Sequence, residues 1–303
     1  MFKGSMVAIV TPMDNECNVD YPALMKLLDF HLAAGTEAIV IVGTTGEAGM
    51  LTLEERHHLV EYTVKHVNGR IPVIAGTGET ATAQAIKLTQ MALEAGADAC
   101  LLMAPAYVKP TQEGLFRHYQ AIAEAVPIPQ ILYNVPSRTA CDILPETVAR
   151  LALLPNIVGI KEATGQIDRV TEILALCGDK IDVFSGDDFS ACALILKGAK
   201  GVISVVANVA PQAMREMVTA ALKGDETLAK AKDAALAGLH KALFVEANPI
   251  PVKWALSEMG LIEKGIRLPL TPLSECHHAL VRSAMEAAGI MRAKYTQNNS
   301  FCG

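Results

Sequence analysis

The chain has no long hydrophobic run, no concentrated basic segment and no closely spaced cysteine pair. Although 51% of its 303 residues are hydrophobic, no stretch approaches the roughly 18 to 20 consecutive apolar residues that a membrane helix requires. The formal net charge is −6 without any basic cluster, which disfavours nucleic acid as a partner. Chemistry on small molecules is therefore the function class that remains.

The seven cysteines are an odd number, lie far apart along the chain and form no C-x-x-C pair. Such a set is typical of reduced thiols, so we expect a cytoplasmic protein. Cys276, His277 and His278 could suggest a metal site, but adjacent helical residues point in different directions and no further ligand follows at metal spacing. We therefore interpret this segment as a surface helix. The chain is expected to need no metal and no other cofactor.

Short apolar runs alternate regularly with helix-forming segments. The lysine and apolar residues of Met1–Met13 superficially resemble a signal peptide, but the run ends at Thr11-Pro12 without a cleavage site of small residues, so we interpret it as a strand. Eight strands are predicted: Met6–Thr11, Ala38–Val42, Ile71–Ala75, Ala99–Ala104, Gln130–Val135, Ile157–Ile160, Ile181–Ser185 and Gly201–Val206.

The segments between these strands carry apolar residues at helical spacing, most clearly in Leu53–Val67, Ala81–Ala95, Glu113–Ala125 and Ala210–Leu222. Strands that are apolar on both faces and alternate with helices are typical of a parallel sheet covered by helices. Eight such units predict an α/β fold of the (β/α)8 type, a TIM barrel. A doubly wound open sheet is the alternative, but no Gly-rich dinucleotide turn follows the first strand.

After about Gly224 the pattern becomes wholly helical, with predicted helices at Glu226–Phe244, Pro251–Met259 and Ser274–Gly289. We therefore divide the chain into a catalytic barrel, residues 1–224, and a C-terminal helical appendage, residues 225–303. The segment Lys294–Gly303 lacks apolar periodicity and is expected to be frayed.

Reactive side chains of such barrels lie at the carboxyl ends of the strands and in the loops that follow. The second strand is followed by Thr44 and Thr45 between glycines, a turn that can bind a carboxylate through hydroxyls and backbone N–H groups. The sixth strand is followed directly by Lys161. Burial there would disfavour the ammonium, so the amine could act as a nucleophile and form an imine with a ketone.

A lysine that points outward, or that pairs with Glu162, is the ordinary structural alternative. The neighbouring strand ends favour catalysis, because Tyr133 can transfer protons if Thr44 hydrogen-bonds its phenol. Arg138, otherwise a solvated loop charge, suits a second carboxylate beside a lysine nucleophile. Asp187 and Asp188 resemble an acid/base pair, but without metal-binding histidines nearby we expect them to cap loops or act indirectly.

Four motifs carry a resemblance that spans Gly4 to about Gly289: GTTGE at 43–47, YNVPSR at 133–138, GIKEA at 159–163 and NPIPVK at 248–253. With these motifs the chain resembles the dihydrodipicolinate synthase family, within the wider N-acetylneuraminate lyase superfamily. The resemblance implies a Schiff-base lyase that condenses pyruvate with L-aspartate 4-semialdehyde in the diaminopimelate route to lysine. It also implies a homotetramer built from two tight dimers.

The resemblance further implies a role for each site residue. Lys161 forms the imine, and Tyr133, Thr44 and Tyr107 form a proton relay in which Tyr107 reaches the neighbouring subunit's site. Four further residues bind substrate: Thr45 the pyruvate carboxylate, Arg138 the semialdehyde carboxylate, and Gly186 and Ile203 the pocket wall.

Three alternatives stay open. N-acetylneuraminate lyases and 2-keto-3-deoxy sugar acid aldolases share the lysine and tyrosine, but generally lack an arginine matching Arg138. A catalytically silent barrel could have the same fold. Such a protein should first lose the lysine nucleophile, the phenol or the carboxylate-binding residues, and this chain has all of them. A metal-dependent class II aldolase needs histidines at strand ends, whereas six fall in helical segments: His31, His57, His58, His66, His118 and His240.

Feedback inhibition by lysine is expected to be weak or absent. Relatives that lysine inhibits tend to carry polar or acidic groups at a dimer-interface site, and the resemblance places six residues of this chain there: Ala48, Leu53, Arg56, Thr80, Gln84 and Ala106. An incoming lysine would meet a like charge at Arg56 and no carboxylate among the six, so its ammonium would lose water without compensation.

Overall fold

The computed structural model describes residues 2–290, and the predicted frayed segment 294–303 lies outside them. Eight parallel strands close into a barrel in which each strand pairs with the next and the first pairs with the eighth. The strands are β1 Gly4–Ala8, β2 Ala38–Ile41, β3 Val73–Gly76, β4 Ala99–Met103, β5 Gln130–Asn134, β6 Ile157–Glu162, β7 Asp182–Ser185 and β8 Gly201–Ser204. The predicted (β/α)8 fold is therefore confirmed.

Helices on the outside of the barrel connect successive strands, and three further helices follow the last unit. They are α1 Tyr21–Ala34, α2 Leu53–Val67, α3 Thr82–Glu94, α4 Gln112–Ala125, α5 Pro136–Thr139, α6 Pro145–Leu151, α7 Ile167–Cys177, α8 Asp188–Leu196, α9 Pro211–Leu222, α10 Glu226–Ala242, α11 Ile250–Glu258 and α12 Glu275–Ala287.

Local sequence explains where these helices begin. At α2, Thr52 accepts a hydrogen bond from the Glu55 N–H while the Glu55 side chain accepts one from the Thr52 N–H, a capping box. Asp20 caps α1 and Asp225 caps α10 in the simpler way, each accepting from the backbone three residues on.

The strands are buried on both faces, as their apolar composition predicts. One set of side chains fills the barrel interior, including Met6, Ile74, Phe184 and Ile203. The alternate set packs against the surrounding helices in a larger cluster. Because both faces are closed, a polar side chain inside the barrel has open space only at the two ends.

The C-terminal region packs directly on the barrel units, since α10 lies against α8 and α9, and α12 lies against α10. It also carries Lys253, whose ammonium makes a buried ion pair with Glu47 of the loop after β2. Arg267 donates its backbone N–H to the same glutamate, at 3.2 Å. Division of the chain at residue 224 stays a prediction. Within residues 2–290 no helix is long and apolar enough to cross a membrane.

Candidate active site

A cavity of about 150 Å³ opens at the carboxyl ends of the strands. Six predicted site residues line it: Thr44, Thr45, Tyr133, Arg138, Lys161 and Gly186. Four different strand ends bring these residues together, as the general rule for these barrels predicts. Within the described part of the chain, Ile203 and Tyr107 do not line this cavity.

Lys161 lies on β6 with its side chain inside the barrel and is 5% exposed. Burial lowers the pKa of Lys161 to about 8; Asp187 and Asp188 oppose this shift, while Arg138 adds to it. The amine is therefore unprotonated in a substantial fraction of molecules near neutral pH. This is the condition that imine formation requires.

The alternative that Lys161 pairs with Glu162 is excluded by the alternation of the strand. Glu162 points to the opposite face, where its carboxylate accepts hydrogen bonds from Asn134 Nδ2 at 3.0 Å and the Thr164 N–H at 2.7 Å. Asn134 also donates to Asp142 at 2.8 Å, and Arg169 binds Asp142 through two nitrogens. These hydrogen bonds outside the barrel hold Asn134 and Glu162, the residues that directly follow Tyr133 and Lys161.

Tyr133 is the register partner of Lys161 on the neighbouring strand β5. Burial raises the pKa of the Tyr133 phenol to about 12, against the opposing influences of Arg138 and of a hydrogen bond with Thr44. The contact between Tyr133 and Thr44 that the sequence suggested is thus present. A phenol of this pKa remains protonated at neutral pH, so it enters a reaction as the neutral acid, although a weaker acid than a solvated phenol.

Thr45 is 2% exposed, and its hydroxyl oxygen accepts a hydrogen bond of 3.0 Å from Asn248 Nδ2. Because the oxygen is occupied as an acceptor, its proton is free to be donated into the cavity. Arg138 donates to the Asn248 backbone carbonyl at 3.4 Å. Asn248, from the C-terminal region, therefore joins both expected carboxylate-binding residues.

Gly186 lies where a larger residue would not fit. A Cβ at this position would come within 2.6 Å of the Ala163 Cβ and 3.2 Å of Lys161 Cε. The absent side chain leaves the lysine stem free to reach the cavity. Ile203 is fully buried in the interior cluster below.

Tyr107 is 90% exposed and has a positive φ of 75°. Its backbone N–H donates to the Thr139 carbonyl at 3.0 Å, which ties this loop to the helix that carries Arg138. The phenol lies outside the site of its own chain.

Several cavity residues had no assigned role in the sequence analysis, and two of them come from the C-terminal region. These two are Phe244 and Asn248, and Asp187 lines the same cavity. The motif NPIPVK contained Asn248, but only tertiary packing brings it to Thr45. The expectation was that both aspartates cap loops or act indirectly. Asp188 caps the loop after β8, since it accepts hydrogen bonds from the Val205 and Val206 N–H groups, whereas the Asp187 side chain accepts no cap hydrogen bond, which leaves it the indirect role.

Arg56, on which the expectation of weak lysine feedback partly depends, has a carboxylate partner. Its guanidinium binds Glu79 at 2.8 Å and the Ala48 carbonyl. The charge that would repel an incoming lysine is therefore partly neutralised, and insensitivity to lysine stays a prediction.

A closed (β/α)8 barrel with a buried lysine of lowered pKa beside a phenol, a threonine hydroxyl and a guanidinium defines a Schiff-base lyase. The sequence model of the Dihydrodipicolinate synthetase family matches residues 1–288. The chain therefore belongs to the dihydrodipicolinate synthetase family.

Individual relatives agree with this assignment. Over 96% of its length the chain is 59% identical to the 4-hydroxy-tetrahydrodipicolinate synthase of Thioalkalivibrio sulfidiphilus, covering 99% of that protein. It is 57% identical, again over 96%, to the Pseudomonas aeruginosa synthase, covering all of it. These relatives show that the chain functions as a 4-hydroxy-tetrahydrodipicolinate synthase, a lyase of lysine biosynthesis, as the resemblance predicted.

Solved structures agree as well. The Acinetobacter baumannii dihydrodipicolinate synthase, complexed with pyruvate, superposes with a TM-score of 0.95 at 53% identity, over 96% of this chain and 100% of that one. The Aquifex aeolicus dihydrodipicolinate synthase superposes with a TM-score of 0.94 at 45% identity, over 97% of this chain and 100% of that one.

Proposed function

We propose that Lys161 captures pyruvate as an imine and directs it onto L-aspartate 4-semialdehyde. The Lys161 amine attacks the ketone carbon of pyruvate, and loss of water gives the imine. Removal of a methyl proton gives the enamine, whose carbon forms the new bond to the aldehyde carbon. Attack of the substrate's own amino group on the former ketone carbon closes the ring and releases Lys161.

The observation that carries this proposal is the position of Lys161. It is the buried amine of the cavity, its pKa is lowered to about 8, and its register partner is Tyr133. A solvated lysine with an ordinary pKa near 10.4 would be unprotonated in only about one molecule in a thousand at neutral pH.

Proton transfer falls to Tyr133, Thr44 and Tyr107. The phenol of Tyr133 is hydrogen-bonded to Thr44, so a proton can pass between the cavity and the loop after β2. Tyr107, which projects from its own chain, completes the relay in a neighbouring subunit. This role requires an oligomer, and we propose the homotetramer of two tight dimers that the family resemblance implies.

Two clamps position the substrates. The Thr45 hydroxyl, whose oxygen is engaged by Asn248, donates to the pyruvate carboxylate. Arg138 binds the carboxylate of the semialdehyde with its planar guanidinium. Gly186 leaves room beside the lysine, and Ile203 supports the pocket floor through its backbone. The reaction needs no metal or other cofactor, since the imine itself withdraws the electrons.

Two measurements test the proposal. Borohydride reduction in the presence of pyruvate should add the mass of a reduced pyruvate adduct at Lys161, and a silent barrel would give none. A coupled assay should then show turnover with L-aspartate 4-semialdehyde and none with N-acetylmannosamine or another sugar aldehyde. Adduct formation with turnover of the sugar alone would assign the chain to the sugar lyases instead.

A further inference from the structure

Asp187 provides the carboxylate of the cavity, because no other aspartate or glutamate of residues 2–290 lines it. It follows β7 and shares the cavity with Lys161 and Arg138. Its backbone is fixed, since its carbonyl accepts a hydrogen bond of 2.8 Å from the Ser185 hydroxyl. The side chain is therefore delivered to the cavity wall by a defined turn.

The neighbouring Asp188 has a structural role, and its carboxylate can be compared with that of Asp187. It is 1% exposed, and its carboxylate accepts hydrogen bonds from the Ser204 hydroxyl and from the N–H groups of Val205 and Val206. The Asp187 carboxylate has no hydrogen bond or ion pair with any residue between 2 and 290. The two adjacent carboxylates thus have different roles.

Asp187 does not make the capping hydrogen bond that is usual at its position. It is the N-cap residue of α8, where an aspartate normally accepts a hydrogen bond from the first turn of the helix. Its side chain makes no such bond and lies against the cavity instead. A partly buried carboxylate without a donor is unfavourable unless a ligand supplies one.

The substrates of the proposed function supply a donor of suitable charge. Pyruvate carries only acceptors, whereas the semialdehyde carries an ammonium on the carbon that also bears its carboxylate. If Arg138 binds that carboxylate, the ammonium enters the same cavity and loses water. It then needs an acceptor, preferably an anion.

We propose that Asp187 binds the amino group of the aldehyde substrate, and so selects an amino-acid aldehyde over an aldehyde that carries only a carboxylate. This inference rests on the proposed function and adds a second point of recognition to Arg138. Arg138 then binds the carboxylate on the α-carbon of the substrate, and Asp187 binds the ammonium on the same carbon. A charge-assisted hydrogen bond in such a site changes binding by about 10- to 100-fold.

A role confined to Lys161 is the competing explanation. Burial raises the pKa of Asp187 to about 6, the charge of Lys161 opposes that rise, and Asp187 in turn favours the lysine ammonium. Such a role would affect imine formation and both kinds of aldehyde equally. Recognition of the ammonium affects only the aldehyde that has one.

Succinate semialdehyde separates the two explanations, because it has the aldehyde and carboxylate of the substrate but no amino group. We would measure kcat/KM for L-aspartate 4-semialdehyde and the inhibition constant of succinate semialdehyde in the wild type and in Asp187→Asn. The expected result is a 10- to 100-fold fall in kcat/KM with an inhibition constant unchanged within about threefold. Equal weakening for both aldehydes, or no weakening, would overturn the inference.

Asp179→Asn is the matched control, since it removes an exposed carboxylate before β7, at the opposite end of the same unit, and should change neither value. Borohydride trapping of pyruvate is run on every variant, so that failure of the proposed function is seen separately as absence of the wild-type adduct. Should Asp187→Asn fail to trap pyruvate, Asp187→Glu keeps the charge and is measured instead. It should still favour the substrate that carries an amino group, and equal binding of the two aldehydes would contradict the proposal.

Discussion

The Nζ atom of Lys161 lies 4.3 Å from the centre of the Tyr133 ring. An aromatic face attracts a cation, so this contact alone would favour the ammonium. Burial acts in the opposite direction and is the larger effect, since the pKa of Lys161 is lowered to about 8. The ring therefore shields the amine from water, and its phenol lies beside the lysine at which we propose that the imine forms.

The lowered pKa predicts how imine formation depends on pH. The fraction of free amine rises steeply between about pH 7 and 9, and the rate of borohydride-trapped pyruvate adduct should rise with it to a plateau above about pH 9. Trapping rates at saturating pyruvate, measured by mass over this range, check the prediction. A midpoint near 10.5 would contradict it, because the lysine would then behave as if solvated.

Replacing Lys161 should stabilise the fold while abolishing activity. Its pKa in the folded chain lies below the unfolded value, so the unfolded chain binds more protons between about pH 8 and 10.5 and stability rises with pH in that window. Below pH 8 the buried ammonium lowers the free energy of unfolding by about 3 kcal/mol. Lys161→Met should recover about 1 to 3 kcal/mol at pH 7 in urea unfolding.

The exposed Lys180 provides the control for this variant. Lys180→Met removes the same charge from the surface and should change the free energy of unfolding by less than about 0.5 kcal/mol. It should also leave adduct formation intact. A Lys161→Met protein that is less stable than the wild type would show that the amine is better solvated than its burial indicates.

Tyr133→Phe should separate imine formation from turnover. The variant keeps the ring against Lys161 but loses the phenol, so proton transfer fails while the amine remains buried. We expect kcat to fall by about 10²- to 10⁴-fold, with the pyruvate adduct still trapped by borohydride. If turnover were nearly unchanged, the proton relay would have to be assigned elsewhere.

The buried pair of Glu47 and Lys253 should couple the active-site loop to the C-terminal region. Each single substitution, Glu47→Gln or Lys253→Met, leaves the other charge buried without its partner. It should lower the free energy of unfolding by about 3 to 5 kcal/mol. The double variant should cost less than the sum of the two. Free energies of unfolding for all four proteins check this, and simple additivity would rule out the coupling.

Sequence reasoning reached the barrel because its signal is repeated eight times. Hydrophobic periodicity placed every strand, with ends that differ from the structure by at most three residues, and α2 was predicted residue for residue. The strand-end rule then grouped Thr44, Tyr133 and Lys161 correctly. Each of these inferences uses only local pattern together with one property of the fold.

The parts that sequence reasoning missed depend on contacts between distant segments. Thr45 and Asn248 are 203 residues apart, and no local pattern relates them. Asp187 and Asp188 are adjacent and chemically identical, so only the backbone of the turn shows that one faces the cavity and the other the loop after β8. Side-chain direction at a turn is set by tertiary packing, which a single sequence does not display.

The bond between Asn248 and Thr45 has a consequence for synthesis of the protein on the ribosome. All eight barrel strands have been translated by residue 204, together with the nucleophile and its tyrosine partner. The threonine that we propose holds the keto acid acquires its amide partner only after more than forty further residues have emerged. On that proposal, a nascent barrel has its buried lysine before the threonine is held in place, and full capture of pyruvate awaits docking of the last helices.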